Sequence, residues 1–286
     1  MSDQFERFTT PPPLHPEPGF VRDARELAER LDSATSAVAE TFARANISVE
    51  VDGDVSTWSD EGQGALFVGD HRNGAEYAPL LAAFGDVGRT ACHFVAKPFS
   101  LSSRVRNTLT SSDARINLPV IPRTLASDRQ DTFNRDLHWR IMRRGNLPTE
   151  EELKTLNANT LQDSADLVAA GHIVTIYPTG GVMDAIEKPW QQGLGRIIQQ
   201  VPEDARDRVA VVPFRFDDFS KVRLISSLVM VRYGLEPSPQ TIVLRLGRQG
   251  SVNEVLEGSV DELTAREITA ALREQFVTAF GGQDAE

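Results

Sequence analysis

The strongest constraint on this chain is the stretch Ala65-Leu66-Phe67-Val68-Gly69-Asp70-His71, where an unbroken apolar run ends at once in a polar corner. A run of four or more apolar residues closed by Gly-Asp reads as a core strand reaching its carboxyl end. In α/β folds that edge is where ligands and chemistry gather. A histidine stands there, and an acid, Glu76, follows five positions later. If a helix begins just after His71, Glu76 lies about a turn and a half on, and its carboxylate can fold back toward the imidazole. A histidine held by a carboxylate is a general base of fixed tautomer, because the acid takes one ring N–H and leaves the other nitrogen free.

The same arrangement recurs downstream. Gly171-His172-Ile173-Val174-Thr175-Ile176-Tyr177-Pro178-Thr179-Gly180-Gly181 reads as a stop glycine, an apolar strand and a Pro/Gly turn. Val209-Ala210-Val211-Val212-Pro213-Phe214 is a further apolar strand. Between the His71 block and Gly171, Phe94-Val95-Ala96-Lys97 and Pro119-Val120-Ile121-Pro122-Arg123 each place a cation just after a strand. A lysine supplies a point charge for an anion and an arginine a bidentate fork. Lys188-Pro189-Trp190-Gln191-Gln192-Gly193 follows the third block.

In this order, over about residues 64–216, these blocks resemble the glycerolipid acyltransferase superfamily, which contains the 1-acyl-glycerol-3-phosphate acyltransferases. His71 and Glu76 match its His-x4-acid motif, with Glu where Asp is usual. The third block matches at Tyr177, Pro178 and Gly180, while Thr179, Gly181 and Val182 stand where the family has Glu, Thr and Arg. The resemblance implies an α/β domain, a mixed and largely parallel sheet flanked by helices. It implies transfer of an acyl group from acyl-CoA or an acyl-carrier protein to a hydroxyl of a lysophospholipid or glycerol-phosphate-like acceptor, as in phospholipid biosynthesis. His71 would be the base and Glu76 its orienter, with no protein nucleophile; the lack of a Gly-x-Ser-x-Gly elbow agrees. Lys97 and Arg123 would contact an acceptor phosphate or the donor's phosphopantetheine. Thr179, Gly180 and Gly181 would border the substrate, the glycine amides lining the oxyanion or forming a plain turn. No cofactor is expected beyond the acyl-thioester donor. The altered third block leaves two other readings open, a family member that binds lipid or protein without turnover and a thioester hydrolase.

Bulk properties narrow the partners. A net charge of −11 argues against nucleic acid or an anionic membrane as a constitutive electrostatic partner, although Arg140, Arg143 and Arg144 form a local basic patch. The lone Cys92 excludes an intrachain disulfide framework, and the histidines show no metal-ligand spacing, so no metal is expected. Met1 to Phe20 lacks a basic start and an apolar core, and no run reaches membrane-spanning length. The chain reads as cytoplasmic, with any membrane contact peripheral and lipid-like acceptors its partners.

Along the chain, residues 1–19, with Pro11-Pro12-Pro13, read as an extended arm, residues 20–280 as one acyltransferase-like domain, and 281–286 as a frayed tail. Leu27, Leu31, Val38 and Phe42 follow helical spacing, and Ile47, Val49 and Val51 alternate as a strand. Thr149-Glu150-Glu151-Glu152 reads as a capping box ahead of helical sequence to Ala170, stopped by Gly171. Leu224–Arg232 and Thr241–Leu246 are β-branched runs that read as paired strands, and Ser259 with Glu262 as a capping box for the last helix.

Overall fold

The computed structural model describes residues 38–60, 62–72, 76–89, 92–96, 117–119, 150–180, 184–217, 219–256 and 260–281. Helical residues 38–44 lead into β1 (Ile47–Asp52), followed by β2 (Gly64–Gly69), α1 (Tyr77–Asp86), β3 (Cys92–Ala96) and β4 (Asn117–Pro119). Then come α2 (Glu150–Ala169), β5 (Ile173–Ile176), α3 (Gly193–Gln200), β6 (Val209–Asp217), α4 (Lys221–Arg232), β7 (Gln240–Leu246), β8 (Gly250–Ser251), α5 (Val252–Leu256) and α6 (Ala265–Phe280).

All eight strands join one sheet in the order β1-β7-β6-β2-β5-β3-β4, with β8 paired to β6. The β2, β5 and β6 strands run parallel, as do β3 with β4 and β5 and β1 with β7. Among the described residues, only β6–β7 and β6–β8 are antiparallel. The fold is thus the mixed, largely parallel α/β sheet expected. Every residue of β2 and β5 is buried, because parallel strands are covered on both faces, whereas the edge strand β1 alternates.

Successive β2 side chains point to opposite faces and so feed two cores. Ala65 and Phe67 pack with Trp58, Phe84, Phe214 and Leu224, under α1 and α4. Leu66 and Val68 pack with Val168, Ile197, Leu272 and Phe276, under α2, α3 and α6. Trp58, Phe67 and Phe84 meet edge to face, with ring centroids 4.8–5.8 Å apart.

Two sequence expectations are corrected. Leu224–Arg232 lies within helix α4 rather than in a strand, and the partner of β7 is β6. Ser220 begins the helix by accepting a hydrogen bond from the Arg223 N–H. Gly234, at φ 70°, ends it: the Gly234 N–H donates to the Val231 carbonyl and the Leu235 N–H to that of Met230. This Schellman closure needs a left-handed residue, which glycine adopts at least cost. Likewise, the capping box of α6 is formed by Thr264 and Glu267. Val260–Glu262 is instead a turn of 3-10 helix, and Ser259 lies outside the described residues.

A buried arginine, Arg89, knits one end of the sheet together. Its guanidinium donates to the carbonyls of Trp58, of Asp60 (2.8 Å), of Gln63 (2.9 Å) and of Gly171 (2.7 Å). Next to it, His93 Nε2 and His172 Nδ1 share a hydrogen bond of 3.0 Å, their rings stacked. Burial, then the neighbouring His172, pushes His93 down to about 3. Burial and the Arg89 charge lower His172 as well.

Candidate functional site

The register of the central strands builds the site. Val68 of β2 faces Ile176 of β5, and Gly69 faces Phe214 of β6, so the residues just past β2 and β5 emerge side by side. These are Asp70-His71-Arg72 and Tyr177-Pro178-Thr179-Gly180. Gly69 permits this closeness: a Cβ there would lie 2.1 Å from the Phe214 ring.

His71 Nδ1 lies 2.9 Å from Glu76 Oε2. Glu76 is buried, and the His71 side chain keeps 15% of its surface in solvent. The two atoms are at hydrogen-bonding distance without the alignment of a formed hydrogen bond. Catalytic hydrogen bonds commonly tighten only once substrate is bound. The imidazole also stacks on Tyr177, centroids 4.3 Å apart and planes 27° apart. Held on one side by the carboxylate and on one face by the phenol ring, it turns Nε2 away from Glu76. Burial first, and then Glu76 and Tyr77, pushes the Tyr177 hydroxyl well above its ordinary value, so it keeps its proton and adds no charge beside the pair.

The residues flanking His71 tie the two loops together. Asp70 is buried; one carboxylate oxygen accepts from the Ala185 N–H at 2.9 Å and the other from Arg72 Nε. Burial raises its carboxyl above the usual aspartate range, against the lowering pull of the Ala185 N–H and the Arg72 charge. Arg72 Nη2 reaches Asp184 at 2.8 Å, and Asp184 in turn accepts from the Ile186 N–H at 2.7 Å. The Gln191 N–H donates to the Pro178 carbonyl at 2.7 Å, closing the segment back onto the third block. This bridge is invisible to local sequence reading, where Asp70 and Arg72 serve equally well as solvated strand-end residues.

Of the residues singled out in the sequence, His71, Glu76, Thr179 and Gly180 gather here. Thr179 is buried, and the Gly180 N–H is occupied, donating to the Tyr177 carbonyl at 3.0 Å to close the turn. Lys97, Arg123, Gly181 and the Arg140–Arg144 cluster lie outside the described residues. Among the described residues no three His, Cys, Asp or Glu side chains converge as a metal ion would require, and no helix is long and apolar enough to cross a membrane. A depression of about 430 Å³ lined by Arg248, Gly250 and Glu254 sits at the amino end of β6, the opposite edge from His71, without a base–acid pair.

The chain matches no protein-family model, and no curated protein sequence matches it. A solved structure similar to it is that of the 1-acyl-sn-glycerophosphate (LPA) acyltransferase PlsC from Thermotoga maritima. The two share 11% sequence identity over 92% of this chain and 82% of that one, with a TM-score of 0.44.

Proposed function

We propose that the chain is an acyltransferase that moves an acyl group from acyl-CoA or an acyl-carrier protein to the hydroxyl of a lipid-like acceptor. The observation that carries this reading is the approach of His71 Nδ1 to the buried Glu76 carboxylate at the carboxyl ends of the central parallel strands. The ordered motif resemblance supplies the reaction class.

In this mechanism Glu76 orients the imidazole through Nδ1–H, and Nε2 takes the proton of the acceptor hydroxyl as its oxygen attacks the thioester carbonyl. The new C–O bond forms, the tetrahedral intermediate collapses with loss of the C–S bond, and the leaving thiolate recovers the proton from the imidazolium. No protein nucleophile and no further cofactor take part. The Asp70–Arg72–Asp184 bridge keeps the His71 loop and the third block in register, which matters because small displacements of a catalytic base are costly. Lys97 and Arg123 are the cations assigned to the anionic groups of donor or acceptor, and Thr179 and the Gly180-Gly181 turn to the acceptor's border.

Thr179 and Val182 replace the charged residues of the family's third block, so the acceptor is less anionic or bulkier than lysophosphatidic acid. Loss of one charge-assisted arginine contact is worth about 1.5–3 kcal/mol, roughly a ten- to hundredfold effect on affinity. Thioester consumption with and without a hydroxyl acceptor tests the assignment. His71→Ala should lower turnover by about two to four orders of magnitude. Consumption independent of acceptor would instead identify a hydrolase, and no consumption would identify a binding protein. A clear preference for lysophosphatidic acid over neutral analogues would overturn the acceptor assignment alone.

A further inference from the structure

The surface of α4 is unlike the rest of the molecule. Among the described residues, every exposed large apolar side chain lies in one short segment: Val222, Ile225, Val229, Tyr233 and Leu235. Val222 and Tyr233 are 74% and 75% exposed, well beyond an ordinary partly covered apolar residue. At about 100° per residue, Val222, Ile225 and Val229 form one stripe along the helix. Leu224 and Ser227 face the core, and Leu228 and Val231 pack against it. Lys221 and Arg232 fall along one border of the stripe and Arg223 along the other. The helix has no acidic residue, in a chain of net charge −11. Among the described residues none of these three cations is in an ion pair. The Schellman closure at Gly234 fixes Leu235 beside the last turn, so the apolar surface is built rather than frayed.

The core beneath this helix extends to the candidate site. From His71 a row of rings runs through Tyr177, Phe214 and Phe216 to Phe219, just before α4. Successive centroids lie 4.3, 6.1, 6.0 and 5.6 Å apart.

We propose that α4 is the membrane-docking surface of the protein, lying in the interface of a bilayer that contains anionic lipids, with Val222, Ile225, Val229, Tyr233 and Leu235 inserted and Lys221, Arg223 and Arg232 against the headgroups. An exposed apolar stripe bordered by cations is the pattern of interfacial helices, whose attachment combines apolar burial with attraction to anionic lipid. The cations are local, so the negative remainder of the chain keeps attachment reversible and confined to this face. The docking does not rest on the acyltransfer reading.

The test therefore reads binding, not turnover. The full chain is sedimented with vesicles of phosphatidylcholine alone and of phosphatidylcholine mixed with phosphatidylglycerol, and tyrosine acetylation is followed in parallel. Tyr233 is the exposed one of three tyrosines, Tyr77 being buried and Tyr177 packed in the core. The expected result is association with the mixed vesicles, protection of Tyr233 on binding, and loss of affinity by about tenfold or more in Ile225→Glu/Val229→Glu and in Lys221→Glu/Arg223→Glu. The altered side chains are solvent-exposed, and far-ultraviolet circular dichroism should show unchanged helix content. No association with the mixed vesicles, or equal association of the variants, would overturn the proposal. So would a wild-type dimer dissolved by Val229→Glu, which gives the face to a second copy. Protection of Tyr233 in the free monomer would give it to another part of the chain.

Discussion

Lowering the pH from 7 to 4.5 should destabilise this protein through His93, by an amount the structure allows to be worked out. Burial and its neighbour hold His93 at about 3, whereas an unfolded histidine titrates near 6.5. Its folded value is depressed, so the unfolded chain binds the proton first, and stability is lost as pH falls below about 6.5 toward 3. At pH 4.5 the unfolded chain has gained about two pH units' worth of protonation that the folded chain has not, or roughly 3 kcal/mol. His172 is lowered as well, by burial and by Arg89, and contributes in the same direction. Urea unfolding reads the effect through the fluorescence of the buried Trp58 and Trp190. The comparison is wild type against His93→Gln, which keeps a polar partner for His172 and removes the titration. Carboxylate titrations are common to both proteins and cancel in the difference. The wild type should lose about 3 kcal/mol more than the variant between pH 7 and pH 4.5. Parallel stability–pH curves for the two would refute the argument that His93 is folded as the neutral base.

Other perturbations probe the site and its supports. Glu76→Gln keeps the shape of the side chain and removes the orienting charge, so kcat should fall about ten- to a thousandfold with little change in unfolding midpoint; unchanged kcat would remove Glu76 from the chemistry. Gly69→Ala should cost about 1–3 kcal/mol by overpacking and reduce turnover, because the new methyl displaces the Phe214 ring on which Tyr177 packs. A melting temperature and activity equal to wild type would show that β2 and β6 separate without strain. Arg89→Met removes the guanidinium hydrogen bonds to four backbone carbonyls, of which that of Asp60 keeps a second donor, the Gln63 N–H, and should cost at least about 3 kcal/mol in urea unfolding. A smaller loss would mean that water replaces the guanidinium.

The central strands and the closeness of His71 to Glu76 were legible in the amino-acid sequence. Near-continuous apolar runs mark β2, β5 and β6, since only strands covered on both faces need no alternation. His71 and Glu76 are only five positions apart in the chain, so their approach is short-range. The α4 segment misled the same kind of reading. It is apolar toward the core at Leu224, Leu228 and Val231 and apolar toward solvent at Val222, Ile225 and Val229, which hides the helical period behind β-branched composition. The ends of this helix are set by the Ser220 cap and the Gly234 closure. Folding in three dimensions was needed to show that Arg72 spans to Asp184, that Arg89 meets four carbonyls, and that a row of packed rings runs from His71 to Phe219. Each of these depends on groups brought together from distant parts of the chain, or from successive elements, by the order of strands in the sheet. No local pattern records that order, because it is set by which buried faces fit each other.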